Sequence, residues 1–242
     1  MLTLLLAAAC DTPDSPPTGE QLVEAASTPI RPSYEDVVAS LASRRQELAK
    51  QLAKGGPQAR SAVITEARDS LSRALIDGLL PHWMGTPWAM NGTTTKPGTG
   101  TIACGYFVST ILRDAGFNVH RTRFGQAAAL RIQQATTPPG RKVHRFFSIE
   151  PELLAKNIAA LGDGIYIIGL NVHVGFVVVR GGDVRLVHAS YTDERVVVDE
   201  AFAEARAIEL SQAKGYFVSE LVSTDKAIER WLERETLHLP QD

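Results

Sequence analysis

The chain has 242 residues, 44% of them hydrophobic and 21% charged. That balance excludes a wholly disordered chain, and the length suffices to bury a core without disulfide or metal staples. A net charge of −2, with no basic run longer than Arg44-Arg45, argues against a nucleic-acid-binding face, and the two cysteines, Cys10 and Cys104, exclude a disulfide framework or a four-thiolate zinc site.

In chain order, residues 1–10 come first, an apolar run that ends Ala-Ala-Ala-Cys10. It is too short to span a membrane, which takes about 20 residues. It fits the apolar segment of a secretory signal, with small residues before a cleavage point. Three alanines and a cysteine resemble the lipobox of bacterial lipoproteins. The resemblance implies export to the cell envelope, lipidation of Cys10, and a membrane attachment through that lipid. Asp11 directly after the cysteine resembles an inner-membrane retention signal, which implies the periplasmic side of the inner membrane in a host with two membranes. Residues 11–33 are rich in Pro, Ser, Thr and acidic side chains and read as a disordered tether. No later stretch is long and apolar enough to predict a transmembrane helix.

Apolar residues at Val37, Val38, Leu41, Leu48 and Leu52 predict a helix over Tyr34–Lys54, stopped by Gly55-Gly56-Pro57. Val63, Ala67, Leu71, Leu75 and Leu79 predict a second over Gln58–Leu80. Residues 34–80 thus read as a helical hairpin, expected to pack on the domain of residues 81–242, with a protruding partner-binding hairpin as the alternative. Pro81–Thr101 reads as a long loop, a feature often tied to function. Further helices are expected at Cys104–Ala115, Gly125–Gln134 and Pro151–Leu161. Then the period changes. Gly164–Leu170, His173–Val179, Arg185–His188 and Arg195–Val198 read as strands, with a hairpin turn at Gly181-Gly182-Asp183. Tyr216–Val222 is ambiguous, and Thr224–Glu235 is a C-terminal helix. Helices first, an antiparallel meander next and a helical tail last argue for an α+β fold.

Three residues carry candidate chemistry. Cys104 opens a helix behind Gly-Thr-Gly-Thr, where unpaired amides favour a thiolate and a lowered thiol pKa. On position alone, a small buried hydrophobe is the better reading of a lone cysteine. His173 starts an apolar strand, and Gly175 on the same strand face leaves space for a close-approaching group. His188 ends the next strand, near the same end of the sheet, from where it can fix the tautomer of His173. The alternative is a pair of unrelated strand-end histidines. His82, His120, His144 and His238 have no ligand-like spacing and read as structural or solvent-facing. Asp163 reads as a turn former, and no phosphate-binding glycine motif is present.

The helix start Cys104-Gly105-Tyr106-Phe107-Val108, Gly162-Asp163, His173-Val174-Gly175-Phe176 and Val187-His188-Ala189-Ser190 together resemble the NlpC/P60 family of cysteine peptidases. The match spans roughly Pro81 to Asp199. It implies a papain-like α+β fold and hydrolysis of amide bonds in the stem peptides of bacterial peptidoglycan. It implies Cys104 as nucleophile, His173 as general base and His188 as the group orienting it, with no metal and no cofactor. Gly85-Thr86-Pro87-Trp88-Ala89-Met90-Asn91-Gly92 resembles the family's segment before the nucleophile. Trp88, Asn91 and Tyr106 are the implied substrate and oxyanion residues, although Trp88 stands where the family has a tyrosine and lacks its hydroxyl. Ala103 stands where the family has an aspartate that helps bind the stem-peptide amine, so the bond cut is expected to depart from the family's usual one. Two other classes fit the Cys-then-His order. One is a CHAP-like or transglutaminase-like acyl-transfer enzyme. The other is a non-catalytic, anchored cell-envelope binding module.

Overall fold

Ser33 starts the first helix with a reciprocal cap: its hydroxyl accepts from the Asp36 N–H, and the Asp36 carboxylate accepts from the Ser33 N–H. The computed structural model describes residues 31–241; Cys10 and most of the 11–33 segment lie outside the described residues. Helix α1 runs Tyr34–Lys54 and ends at Gly55. Pro57, which needs no N–H partner at a helix start, opens α2 (Pro57–Arg73). The expected second helix does continue, but as a π-helical stretch, Ala74–Leu79, and a single turn, α3 (Leu80–His82). The wider turn brings Leu75, Leu79 and Leu80 all into the core. The hairpin does not protrude. Leu41, Leu48, Leu71 and Leu75 share one core with Phe107, Ile111 and Trp231, and Arg60 and Arg68 pair with Glu229 and Asp225 near the C-terminus. From Ser33 onward the chain forms one compact unit.

Helix α4 (Cys104–Asp114) buries Phe107, Val108, Ile111 and Leu112 completely. The helix expected over Gly125–Gln134 is two short ones, α5 (Arg121–Gly125) and α6 (Ala129–Thr136), with a break between them. The alanine-rich break carries no polarity period, so the sequence pattern does not mark it. At its edge Gly105 and Gly125 meet. A Cβ on Gly105 would lie 2.3 Å from the Gly125 carbonyl oxygen, and one on Gly125 would lie 2.8 Å from the Tyr106 ring. Only glycine allows α4 and α5 this close.

The fold is α+β with an open, six-stranded antiparallel sheet. Its strands are β1 (His144–Phe146), β2 (Gly164–Gly169), β3 (Val174–Arg180), β4 (Asp183–Ala189), β5 (Val197–Ala201) and β6 (Tyr216–Glu220). The order is β1-β6-β2-β3-β4-β5. The expected meander is β2 to β5. The ambiguous Tyr216–Val222 stretch supplies β6, which inserts between β1 and β2. Helices α7 (Pro151–Ala159) and α8 (Arg206–Ser211) lie on one face with Tyr166, Ile168, Val177 and Leu186. Ile165, Ile167, Phe176 and Val187 point the other way, into the core shared with α4 and the hairpin. Both faces are buried, so the strands read as continuous apolar runs rather than alternating ones. Helix α9 (Asp225–Leu232), capped by Thr224, closes the unit. No described helix is long and apolar enough to cross a membrane.

Candidate active site

Cys104 is the first residue of α4, after an extended Ala103 that offers no side-chain cap. The N–H groups of the first turn therefore have no partner within the helix. The loop before it is closely tied. Trp88 and Thr93 both bridge to Ile102, and the Ala103 N–H donates to Gly92 O at 2.9 Å. A Cβ on Gly92 would lie 2.5 Å from the Ile102 nitrogen, so glycine is required at this crossing. Arg121 donates to Thr93 O and Thr94 O, which fastens the far end of the loop to the start of α5. These contacts fix where Cys104 enters its helix.

His173 immediately precedes β3, its carbonyl accepting from the Leu170 N–H at 2.9 Å. It is 3% exposed and His188 is 0% exposed. Their rings stand nearly perpendicular, with His173 Nε2 and His188 Nδ1 2.7 Å apart. His188 Nε2 in turn lies 2.7 Å from Glu200 Oε1. Register explains the arrangement. His188 of β4 pairs with Val198 of β5, and Glu200 is the diagonal neighbour two residues on, along the same face. Gly175 has a different task from the one expected. A Cβ there would lie 2.9 Å from His188 Cβ, so its missing side chain makes room for the second histidine, not for a substrate.

The direction of this relay follows from its end. A carboxylate only accepts, so His188 carries its proton on Nε2. With its proton held there, His188 accepts at Nδ1, and His173 donates from Nε2. The lone pair of His173 is left on Nδ1, which is buried with no hydrogen-bond partner. Burial first, and then the neighbouring His188, push His173 well below the usual histidine range, so it is neutral at pH 7.

Cys104 and His173 line one cleft of about 240 Å³, together with Gly105, the 125–129 segment and the turn Leu170–Val174. The thiol departs from expectation. Burial raises its pKa, and the N–H groups of Val174, Gly105 and Cys104 itself offset that only in part. The helix start is present, but desolvation of the anion outweighs it. The resting pair is thus a neutral thiol and a neutral imidazole that are not hydrogen-bonded to each other, a looseness common before substrate binds. Alkylation of Cys104 by iodoacetamide should therefore keep accelerating beyond pH ~8.5, where a free thiol half-ionises. A rate already level at pH 7 would show an ion pair instead.

Tyr191, which does not line the cleft, is a neighbour of His173 that the sequence did not signal. Its ring lies 5.1 Å from that of His173, and burial, then the Cys104 sulfur, raise its phenol pKa. Trp88 stands one ring further back, 6.4 Å from Tyr191 and under the Arg195 guanidinium. Its indole N–H is buried without a partner. None of Trp88, Asn91 and Tyr106 lines the cleft. Asn91 is exposed in a turn, and Tyr106 packs against Gly125 with Arg121 over its ring at 4.9 Å. Helix periodicity turns Tyr106 away from the face that presents Cys104. The expected oxyanion donors of the 85–92 loop are thus not at the sulfur; backbone N–H groups are.

Asp163 accepts from the Gly181 N–H at the β3–β4 turn. His82 stacks edge-on with Tyr34, and His120 caps α5. No cluster of three or more metal-ligating side chains occurs among the described residues. Compared with protein-family models, with curated proteins and with solved structures, the chain matches none.

Proposed function

We propose that the chain is a cysteine hydrolase of amide bonds, working through Cys104 and the relay His173–His188–Glu200. The observation that carries this reading is the unpartnered Nδ1 of a buried, neutral His173, in the same cleft as a thiol at a helix start. A buried acceptor left without a donor is costly in a purely structural role, about 1–3 kcal/mol. A base awaiting a substrate-bound thiol explains the cost.

The chemistry is a two-step acyl transfer. His173 Nδ1 takes the Cys104 proton as Sγ adds to the carbonyl carbon. The tetrahedral oxyanion forms beside the N–H of Cys104 at the start of α4, where the helix dipole favours negative charge. The new imidazolium is held by His188 and, through it, by the Glu200 carboxylate. His173 returns its proton to the departing amine, leaving a thioester. It then deprotonates water, which releases the acid and restores the thiol. The substrate class, peptidoglycan stem peptides, rests on the resemblance to NlpC/P60 enzymes. Incubation with purified peptidoglycan should release fragments with one new amine and one new carboxylate, and Cys104→Ala should release none. Intact peptidoglycan after prolonged incubation would remove the substrate class.

Attachment through a lipid on Cys10 belongs to the same reading. Cys10→Ser should move the protein from the membrane to the soluble fraction with its hydrolytic activity intact. Unchanged fractionation would sink the anchor.

A further inference from the structure

A second, larger cavity adjoins the cleft. It measures about 700 Å³ and is lined by His120, Arg123, Arg131 and His238 over an apolar floor of Phe124 and Leu237. That is the size range of ligand sites, about 300–1,000 Å³. One wall comes from residues 120–131, across α5, the break and α6, and the other from residues 236–241. The second wall is fastened in place: the Leu237 N–H donates to Asn118 O, Asn118 Nδ2 to Thr236 Oγ1, and Arg131 Nη2 to Pro240 O. No aspartate or glutamate is among the described lining residues. Gln126 and Ala127 belong to the walls of both this chamber and the Cys104 cleft. The cleft itself, apart from the catalytic pair, is lined by uncharged residues only. Any preference for charge must therefore come from beyond it.

We infer that the chamber is a subsite for a carboxylate of the substrate, lying across the 126–127 ridge from the bond that is cut. The inference rests on the hydrolase reading. Arg123 is the central group. It is permanently charged, it is exposed at the rim, and its guanidinium fork matches a carboxylate in geometry. His120 uses Nδ1 to accept from the Arg123 N–H, which leaves Nε2 for a ligand. His238 faces it across the chamber on the opposite wall. The apolar floor suits the methylenes that carry a side-chain carboxylate. Peptides with free carboxylates should then be chosen over their amidated forms, and Ala103 would matter less, because recognition has moved from an amine to an acid.

The test uses the full chain and two probes, a peptidoglycan stem tetrapeptide with free carboxylates and the same peptide fully amidated. On 15N-labelled Cys104→Ala protein, the free form should shift the backbone amides of 120–127 and 236–239. Arg123→Ala should weaken that binding about tenfold, in line with one partly solvated charge-assisted contact, and Arg123→Lys should recover part of it. The amidated form should be indifferent to either change. In the active chain the same loss should fall on KM for the free form. Equal binding of the two forms, equal effects of Arg123→Ala on both, or no chamber shifts with either form would overturn the subsite. If the free form binds in the chamber but the wild-type chain cuts neither peptide, the hydrolase reading fails and the chamber stands as a carboxylate-binding site only. If both are cut alike and Arg123→Ala changes nothing, the reverse holds.

Discussion

Cys104→Ala and His173→Ala should each abolish turnover, by roughly 10³-fold or more, and the double variant should be scarcely worse than either. Nucleophile and base act as one unit. Without the sulfur, His173 has no proton to take; without His173, the thiol keeps its proton, because burial raises its pKa. This second point makes the loss at His173 larger than in an enzyme with a resting thiolate–imidazolium pair. There, the thiolate is already formed before substrate arrives. In the proposed mechanism, proton transfer is part of the reaction, so the base cannot be dispensed with. The measurement is a kinetic series on one peptide substrate, with circular dichroism as a check on folding. Cys104 is half-buried and its sulfur meets only backbone N–H groups, those of Val174, Gly105 and Cys104 itself, so its removal should leave the fold intact. His173 is fully packed, so His173→Gln, which keeps most of its volume, serves as its second variant. Near wild-type turnover in Cys104→Ala would end the covalent mechanism.

How far the sequence discloses this site depends on the kind of signal each residue leaves. Cys104 is legible because a glycine-rich loop followed by an apolar helix marks a helix start. His173 and His188 are legible because strand alternation and a Gly181-Gly182 turn set their register. Helix α1 matches its expected bounds, for its cap and stop are local. Three parts were not legible. Strand β1 has three residues and no period to detect. Strand β6 is ambiguous in isolation and gains its place only by pairing with β2 and β1, a non-local contact. The break between α5 and α6 lies beside the meeting of Gly105 and Gly125, two glycines twenty residues apart. Glu200 belongs with these. It follows Val196-Val197-Val198-Asp199, and only the β4–β5 register makes it the diagonal neighbour of His188. The thiol pKa failed for a different reason: a helix start is visible in sequence, and the desolvation that outweighs it is not.

The relay behind the base should show a graded response. His188→Ala removes the acceptor for His173 Nε2–H and should cost on the order of 10–10³-fold in kcat, less than loss of His173 itself. The cost of an orienting carboxylate in a serine-protease triad, about 10⁴-fold, sets the upper bound, because an imidazole lacks a carboxylate's full negative charge. Glu200 lies one bond further out, and its side chain is 33% exposed, so solvent screens part of its field. Glu200→Gln should lower kcat by roughly tenfold. Its signature is the pH profile. A carboxylate favours the protonated form of the coupled histidine pair, and the base must be unprotonated to act. Neutralising Glu200 therefore lowers the apparent pKa of the pair and moves the acid limb of kcat/KM to lower pH. A purely structural role for Glu200 would lower activity without moving that limb. Imidazole 15N shifts give the second readout: His188 should carry its proton on Nε2 in the native chain, and lose that preference in Glu200→Ala, where neither carboxylate nor amide remains to accept it. If Nδ1 of His188 bears the proton in the native chain, the direction of the relay is reversed. His173 Nδ1 would then carry the hydrogen and could not take one from Cys104.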